Sequence, residues 1–325
     1  MSWINDVIEV KEEYVGLRLD RFIAIHCKKL NFIIIQKLLR TGQIRLDGKK
    51  VIGAKRVLLG SQVRIPRIYR NNNKNKYEVY KPLNKFWQNF INKNIIYRDK
   101  EILAINKPSG IAVQGGSKIK NHIDEKLDYL RFDSPYRPQL LHRLDKETTG
   151  VLILSRNPAT TKRLGSEFRN RNIKKTYWAL VIGYMPKRNG SINVPLEKVS
   201  NKGYELTSFK SKGKESKTKY NVLWKGLYKG VKLSLVEFNP ETGRKHQIRA
   251  HCAELGCYIY GDKKYNLGKS NNLILEKDFP LEMQLHARQI NLPDEEGITT
   301  SIVAPIPEHM KIIFKLLQLD KYIPD

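Results

Sequence analysis

One short segment, Leu140-Leu141-His142-Arg143-Leu144-Asp145-Lys146-Glu147-Thr148-Thr149-Gly150, sets a single carboxylate, Asp145, between two cations, Arg143 and Lys146. Apolar Leu140, Leu141 and Leu144 flank it, Gly150 closes it, and an apolar run follows at 151–154. A carboxylate held near positive charge stays ionised and can act as a nucleophile or base at neutral pH. The same residues could also form a solvated ion pair of little energetic worth. Downstream, Tyr177 stands in Lys175-Thr176-Tyr177-Trp178-Ala179-Leu180-Val181, and Thr242-Gly243-Arg244-Lys245-His246-Gln247-Ile248-Arg249-Ala250-His251 gathers cations and imidazoles. His246, His251, Cys252 and Cys257 raise the idea of zinc, but the gap between the two cysteines is too wide for a usual zinc knuckle. Both histidines are expected to pack within a helix that begins at Arg244.

These residues need a scaffold. Residues 95–97, 102–105, 151–154, 177–182 and 231–235 read as strands, with a turn at Lys107-Pro108-Ser109-Gly110. Asn157-Pro158 opens a helix running to about Phe168, and the helix of residues 244–255 stops at Gly256. Strands do not alternate regularly with crossover helices, so the expected class is α+β with a mixed, largely antiparallel sheet.

The chain has 325 residues, enough for about two domains. It carries 60 Lys and Arg against 32 Asp and Glu, a net charge of +28 that suits a polyanionic partner. A Lys- and Asn-rich proteome would push the same way, but distribution favours a dedicated module. Residues 17–64 hold 12 basic and 2 acidic residues, and 65–94 hold 7 and 1. Within 17–64, Leu17, Leu19, Phe22, Ile23 and Ile25 fit a helical face. A second helix fits 33–39 and stops at Gly42, residues 43–51 read as a hairpin around Asp47-Gly48, and 58–65 as a turn and strand. Residues 66–94 are polar, contain Pro66, Pro82 and an Asn/Lys run, and read as a linker with a short helix near 86–91. The apolar runs are too short to span a bilayer, and residues 1–14 are acidic and unlike a signal peptide. Three cysteines, Cys27, Cys252 and Cys257, cannot all pair and read as free thiols in a reducing cytoplasm.

Two helices and a hairpin bearing Lys28, Lys29, Lys37, Arg40 and Arg45 resemble the S4 RNA-binding domain, which implies that Lys37, Arg40 and Arg45 lie on RNA. Four later segments, in order, resemble the RluA-type pseudouridine synthases. They are Asn106-Lys107-Pro108-Ser109-Gly110 with Val113-Gln114-Gly115-Gly116, the Asp145 segment, the Tyr177 segment and the Arg244 segment; Gly261-Asp262 and Leu285-His286-Ala287 fit as well. The resemblance implies a small N-terminal α/β S4-like domain at 1–65, a linker at 66–94 and a catalytic domain of the pseudouridine synthase fold at 95–325. It implies Asp145 as the essential carboxylate, which attacks the sugar, adds to the base or removes the 2′ proton. It further implies Arg244 as the arginine paired with Asp145, Tyr177 against the uracil and Ile248 lining its pocket. Arg143 would fill the space of the extruded base, unless it braces the Asp145 loop. Lys245 stands where many relatives carry Thr.

The reaction breaks the N1 glycosidic bond of uridine, rotates the uracil and rejoins it through C5, so no cofactor and no metal are implied. The S4-like domain and Gln114-Gly115-Gly116-Ser117 are closest to the RluC type, which acts on large-subunit (23S) ribosomal RNA. A relative acting on other ribosomal sites or on tRNA, and a non-catalytic RNA-binding ribosome-assembly protein, are the alternatives. A cytoplasmic monomer with no membrane association and no obligate protein partner is expected.

Overall fold

The computed structural model describes residues 5–27, 30, 32–66, 83–115, 121–201, 204–265, 275–294 and 296–323. Lys28, Lys29, Gly116, Ser117 and residues 67–82 of the expected linker lie outside the described residues. The chain divides into two compact units, Met1–Gln88 with Pro135–Arg137, and Asn89–Ser134 with Pro138–Asp325.

In the first unit, helix α1 (Leu19–His26) buries Leu19, Phe22 and Ile23, an i, i+3, i+4 stripe. Helix α2 (Phe32–Arg40) buries Ile35, Leu38 and Leu39 and leaves Lys37 and Arg40 exposed. Strands β1 (Asn5–Glu9), β2 (Arg45–Leu46) and β3 (Gln62–Pro66) form an antiparallel sheet in the order β1-β3-β2. The Asp47-Gly48 turn is present: both residues have positive φ, and Leu46 and Lys49 exchange backbone hydrogen bonds. The expected hairpin is shorter than its pattern suggested. Ile44 and Leu46 are buried with Val63 and Ile65, so β2 pairs with β3, and the Lys49-Lys50 arm is left exposed.

Helix α3 (Lys85–Asn94) contains the expected short helix and buries Trp87, Phe90 and Ile91. The division between the two units falls inside it.

The second unit is built on eleven described strands: β4 (Ile95–Arg98), β5 (Ile102–Lys107), β6 (Gln139–Leu140), β7 (Thr149–Ser155), β8 (Lys174–Ile182), β9 (Asn189–Asn193), then β12 (Lys217–Tyr228), β13 (Val231–Pro240), β14 (Tyr258–Ile259), β15 (Leu285–Pro293) and β16 (Thr299–Val303). Their main path runs β4-β5-β7-β15-β8-β13-β12-β9, and a separate hairpin joins β10 (Leu196–Asn201) to β11 (Tyr204–Phe209). Every pairing in the large sheet is antiparallel except β15 with β7. The unit is therefore α+β with a mixed, largely antiparallel sheet.

Helix α4 (Pro158–Asn170) begins at Asn157, whose side chain accepts from the Thr160 N–H at 2.8 Å, with Pro158 in the first turn. It sets Leu164 and Phe168 against β5, β7 and β15. Helix α5 (Gln247–Glu254) packs on β8 and β13, and helix α6 (Glu308–Leu316) buries Met310, Ile313 and Phe314. No helix among the described residues is long and apolar enough to cross a membrane.

Candidate active site

The loop between β6 and β7 carries Asp145 and is fixed at both ends. His142 accepts a hydrogen bond from the Ile153 N–H at 3.0 Å and stacks on Phe168 with ring centroids 5.1 Å apart. Burial, with Lys175 adding to it, pushes this imidazole down to about 3, so it stays neutral and keeps the lone pair that the bond requires. At the other end Gly150 has φ +106, and a Cβ there would run into the Ala287 carbonyl. The single parallel pairing in the sheet, Ala287 with Gly150, depends on that close approach.

Beneath the loop lies Lys107, which is fully buried. Its Nζ donates to the carbonyls of Pro108 (2.8 Å), Ile111 (3.0 Å) and Lys146 (2.9 Å). Burial pushes this amine down to about 7 against the pull of Glu147 and Asp145. Three carbonyl acceptors match the three N–H bonds of an ammonium, which favours the charged form. Sequence reasoning placed Lys107 in a turn and gave it no role.

Ala287 has Gly150 on one side and Tyr177 on the other, so the end of the Asp145 loop and the tyrosine lie one strand apart. Tyr177 packs in the apolar cluster that holds Ile248, Met283, Leu285 and Phe238. Burial, with the Asp145 charge, raises its phenol well above the ordinary value, so the hydroxyl keeps its proton.

The cation beside Asp145 is Arg249, not Arg244. Arg249 Nη1 lies 3.6 Å from Asp145 Oδ2. Its Nε and Nη2 donate to the two oxygens of Asp262, each at 2.6 Å. Such a fork fixes the guanidinium plane. Burial alone would lower the Arg249 pKa, but hydrogen bonding and charge from Asp262, with Asp145, raise it. Asp262 also accepts from the backbone N–H of Lys264 at 2.9 Å. Arg244 instead donates Nε to the Glu215 carbonyl at 3.1 Å.

The reason is where α5 starts. Gln247 Oε1 accepts from the Arg244 N–H (3.0 Å) and the Thr242 hydroxyl (2.7 Å), while its Nε2 donates to the Lys217 carbonyl and Thr218. That staple ends the preceding loop, so the helix begins three residues later than expected. Arg244 stays outside it, and Arg249 sits within its first turn.

His246 is likewise outside the helix, at its N-cap, with φ +55. Its Nε2 lies 3.8 Å from Asp145 Oδ1, a contact that sequence reasoning missed. Inside the helix, His251 is held between Ser216 (2.8 Å) and Thr218 (3.0 Å), pinning α5 to the start of β12. Cys252 and Cys257 are buried free thiols, both pushed up by burial. Arg143 is exposed, and among the described residues its guanidinium makes no hydrogen bond or ion pair that would brace the loop.

Asp145, Tyr177 and Ile248 thus converge with Arg249 and His246. One carboxylate, about one-fifth exposed, faces a guanidinium and an imidazole. A protonated phenol and an apolar wall complete the set, which can hold a flat, polar-edged ring beside a carboxylate.

Residues 101–254 match the family described as RNA pseudouridylate synthase. The chain is 36% identical over 312 residues to a ribosomal large subunit pseudouridine synthase C of Buchnera aphidicola subsp. Baizongia pistaciae, covering 95% of this chain and 96% of the relative. It is 33% identical over 294 residues to the protein of that name in Rickettsia bellii, covering 84% and 95%. Among solved structures, human RNA pseudouridylate synthase domain containing 4 superposes with a TM-score of 0.57 at 28% identity, over 72% of this chain and 98% of that one. The sequence similarity spans both units, and the chain belongs to the RNA pseudouridylate synthase family.

Proposed function

We propose that this chain converts uridine to pseudouridine in large-subunit (23S) ribosomal RNA, with Asp145 as the essential carboxylate. The observation that carries the reading is the convergence of Asp145 with Arg249, Tyr177 and Ile248. Isomerisation needs a carboxylate beside the ribose, a surface for the uracil and a positive charge to orient the carboxylate. Here Arg249 supplies the charge, and Tyr177 with Ile248 supplies the surface. Arg143, exposed two residues from Asp145, enters the space left when the target base leaves its stack. The ribosomal target is supported by the names of the Buchnera and Rickettsia relatives.

The first unit serves as an S4-like RNA anchor, through Lys37 and Arg40 on α2 and Arg45 on β2. Arg45 also donates to the carbonyls of Gly42 (3.2 Å) and Gly48 (3.3 Å), so its guanidinium shapes the turn as well. The enzyme works in the cytoplasm, as a monomer and without an obligate protein partner. Pseudouridine mapping of total RNA from cells with and without the gene tests the reading. Loss of defined 23S pseudouridines is the expected result. Loss confined to tRNA, or no loss, overturns the ribosomal assignment.

A further inference from the structure

Asp145 has two oxygens, and the structure gives each its own neighbour. Oδ2 faces Arg249 Nη1 at 3.6 Å, and Oδ1 faces His246 Nε2 at 3.8 Å. The imidazole is held from behind: Nδ1 lies 3.2 Å from the Tyr265 hydroxyl. That hydroxyl accepts from the Thr207 N–H at 2.9 Å, and the Tyr265 ring lies under the Arg249 guanidinium, 5.2 Å from its centroid. His246 is buried and sits in the left-handed region, φ +55 and ψ 22, which costs a residue with a Cβ on the order of 1 kcal/mol. The fold thus holds a strained histidine in one place, between Tyr265 and Asp145.

The geometry points to His246 as a positioning residue for Asp145: Tyr265 donates to Nδ1, the ring proton therefore sits on Nε2, and Nε2–H holds Oδ1 while Arg249 holds Oδ2. This rests on the reading of Asp145 as the essential carboxylate. A neutral imidazole has one N–H, and electrostatics decide which face carries it. A bare Nε2 lone pair would face the carboxylate oxygen and repel it, whereas an N–H attracts it. The Tyr265 hydroxyl has one proton and two possible acceptors, His246 Nδ1 and the Thr207 carbonyl at 3.0 Å. Sending it to Nδ1 lets the imidazole meet both neighbours favourably. At 3.8 Å the Asp145 contact is longer than a formed hydrogen bond, and a small turn of the carboxylate closes it on substrate binding.

Neutrality matters. Burial, with Arg249, Lys264 and Lys245 pushing the same way, lowers the imidazole to about 3 although Asp262 pulls it up. A neutral donor orients the carboxylate without cancelling its charge. A second cation beside Arg249 would stabilise the ground state of the very group that must react.

The test separates the two ring nitrogens. In the full-length enzyme, ¹⁵N-histidine NMR should show His246 with the proton on Nε2, the signal being assigned by its loss in His246→Gln. His246→Asn places an amide where Nδ1 was, tolerates the left-handed backbone and removes the donor toward Asp145. His246→Gln places its amide nitrogen near Nε2. With an RNA substrate, H246N should lower kcat ~30-fold with KM within about twofold, and H246Q should lower it only ~5-fold. Tyr265→Phe keeps the ring under Arg249 and should shift part of the His246 population to the Nδ1–H form. An Nδ1–H signal in the unmodified enzyme, a normal kcat in H246N, or equal losses in the two His246 variants would overturn the assignment. Asp145→Asn is run alongside. If it is active, the reading of Asp145 falls; if it is inactive while H246N turns over normally, only the His246 role falls.

Discussion

Arg249 reaches Asp145 with one nitrogen, at 3.6 Å, while its other two are spent on the Asp262 fork at 2.6 Å each. The charge that faces Asp145 is thus aimed by a second carboxylate, set right after Gly261. That glycine has φ +76, and a Cβ on it would meet the Glu282 carbonyl, so the fork depends on a backbone that other residues rarely adopt. Arg249→Ala should lower kcat about 100-fold, and Asp262→Asn about tenfold because the guanidinium is kept but no longer aimed. Arg244→Ala, whose side chain donates to the Glu215 carbonyl, should stay within about threefold. Steady-state assays on one RNA substrate check the order; a greater loss for R244A than for R249A would reverse the assignment.

Gly150→Ala should destabilise the fold by roughly 3 kcal/mol, since the substitution adds both backbone strain and a clash with the Ala287 carbonyl. Urea unfolding reads this directly. A midpoint unchanged from that of the parent chain would mean that the β7–β15 junction relaxes freely.

Acid should unfold this protein earlier than its basic composition suggests. Burial pushes His142, His246 and His286 down to about 3 and His251 to about 4, against an ordinary value of 6.5. Below about pH 6.5 the unfolded chain binds protons that the folded chain refuses, so the stability these groups contribute is complete above that pH and falls as pH drops toward 3–4. Each contributes a slope of up to about 1.4 kcal/mol per pH unit. Urea midpoints at pH 7.5, 6.0 and 5.0 should fall steadily, and a flat profile over that window would show that the rings titrate freely inside the fold.

Lys37→Ala with Arg40→Ala should weaken RNA binding at low salt and reduce the slope of log K against log salt by about 1.5, as expected for two lost phosphate contacts. The kcat at saturating RNA should remain within about twofold. A slope that does not move would place the anchor elsewhere on the chain.

The main features of the larger unit were legible because local chemistry and tertiary packing agree there. Asn157-Pro158 caps α4 as its residue types require, and the apolar run 151–154 is the buried centre of β7. Asp145, Tyr177 and Ile248 lie in separate segments, and the fold brings them together. The arginine beside Asp145 was not legible. Two arginines stand five residues apart, and only the Gln247 staple, made with residues 217 and 218, decides which of them enters the helix. Strand β1 was missed for a related reason: five residues with two acidic side chains become a strand only when β3 supplies the partner. His246 was read as helical because a left-handed histidine leaves no trace in periodicity.

Lys107 ties its own turn and the Asp145 loop to one nitrogen, and Gly110 N–H adds a bond to the Lys146 carbonyl at 3.0 Å. Opening the turn strands the Lys146 carbonyl, and opening the Asp145 loop strands the Lys107 and Gly110 donors, so the two should exchange their amide hydrogens together, as one cooperative unit. Residues nearly forty positions apart would then share one lifetime, and damage to the turn at Lys107-Pro108-Ser109-Gly110 would loosen the Asp145 loop without touching it.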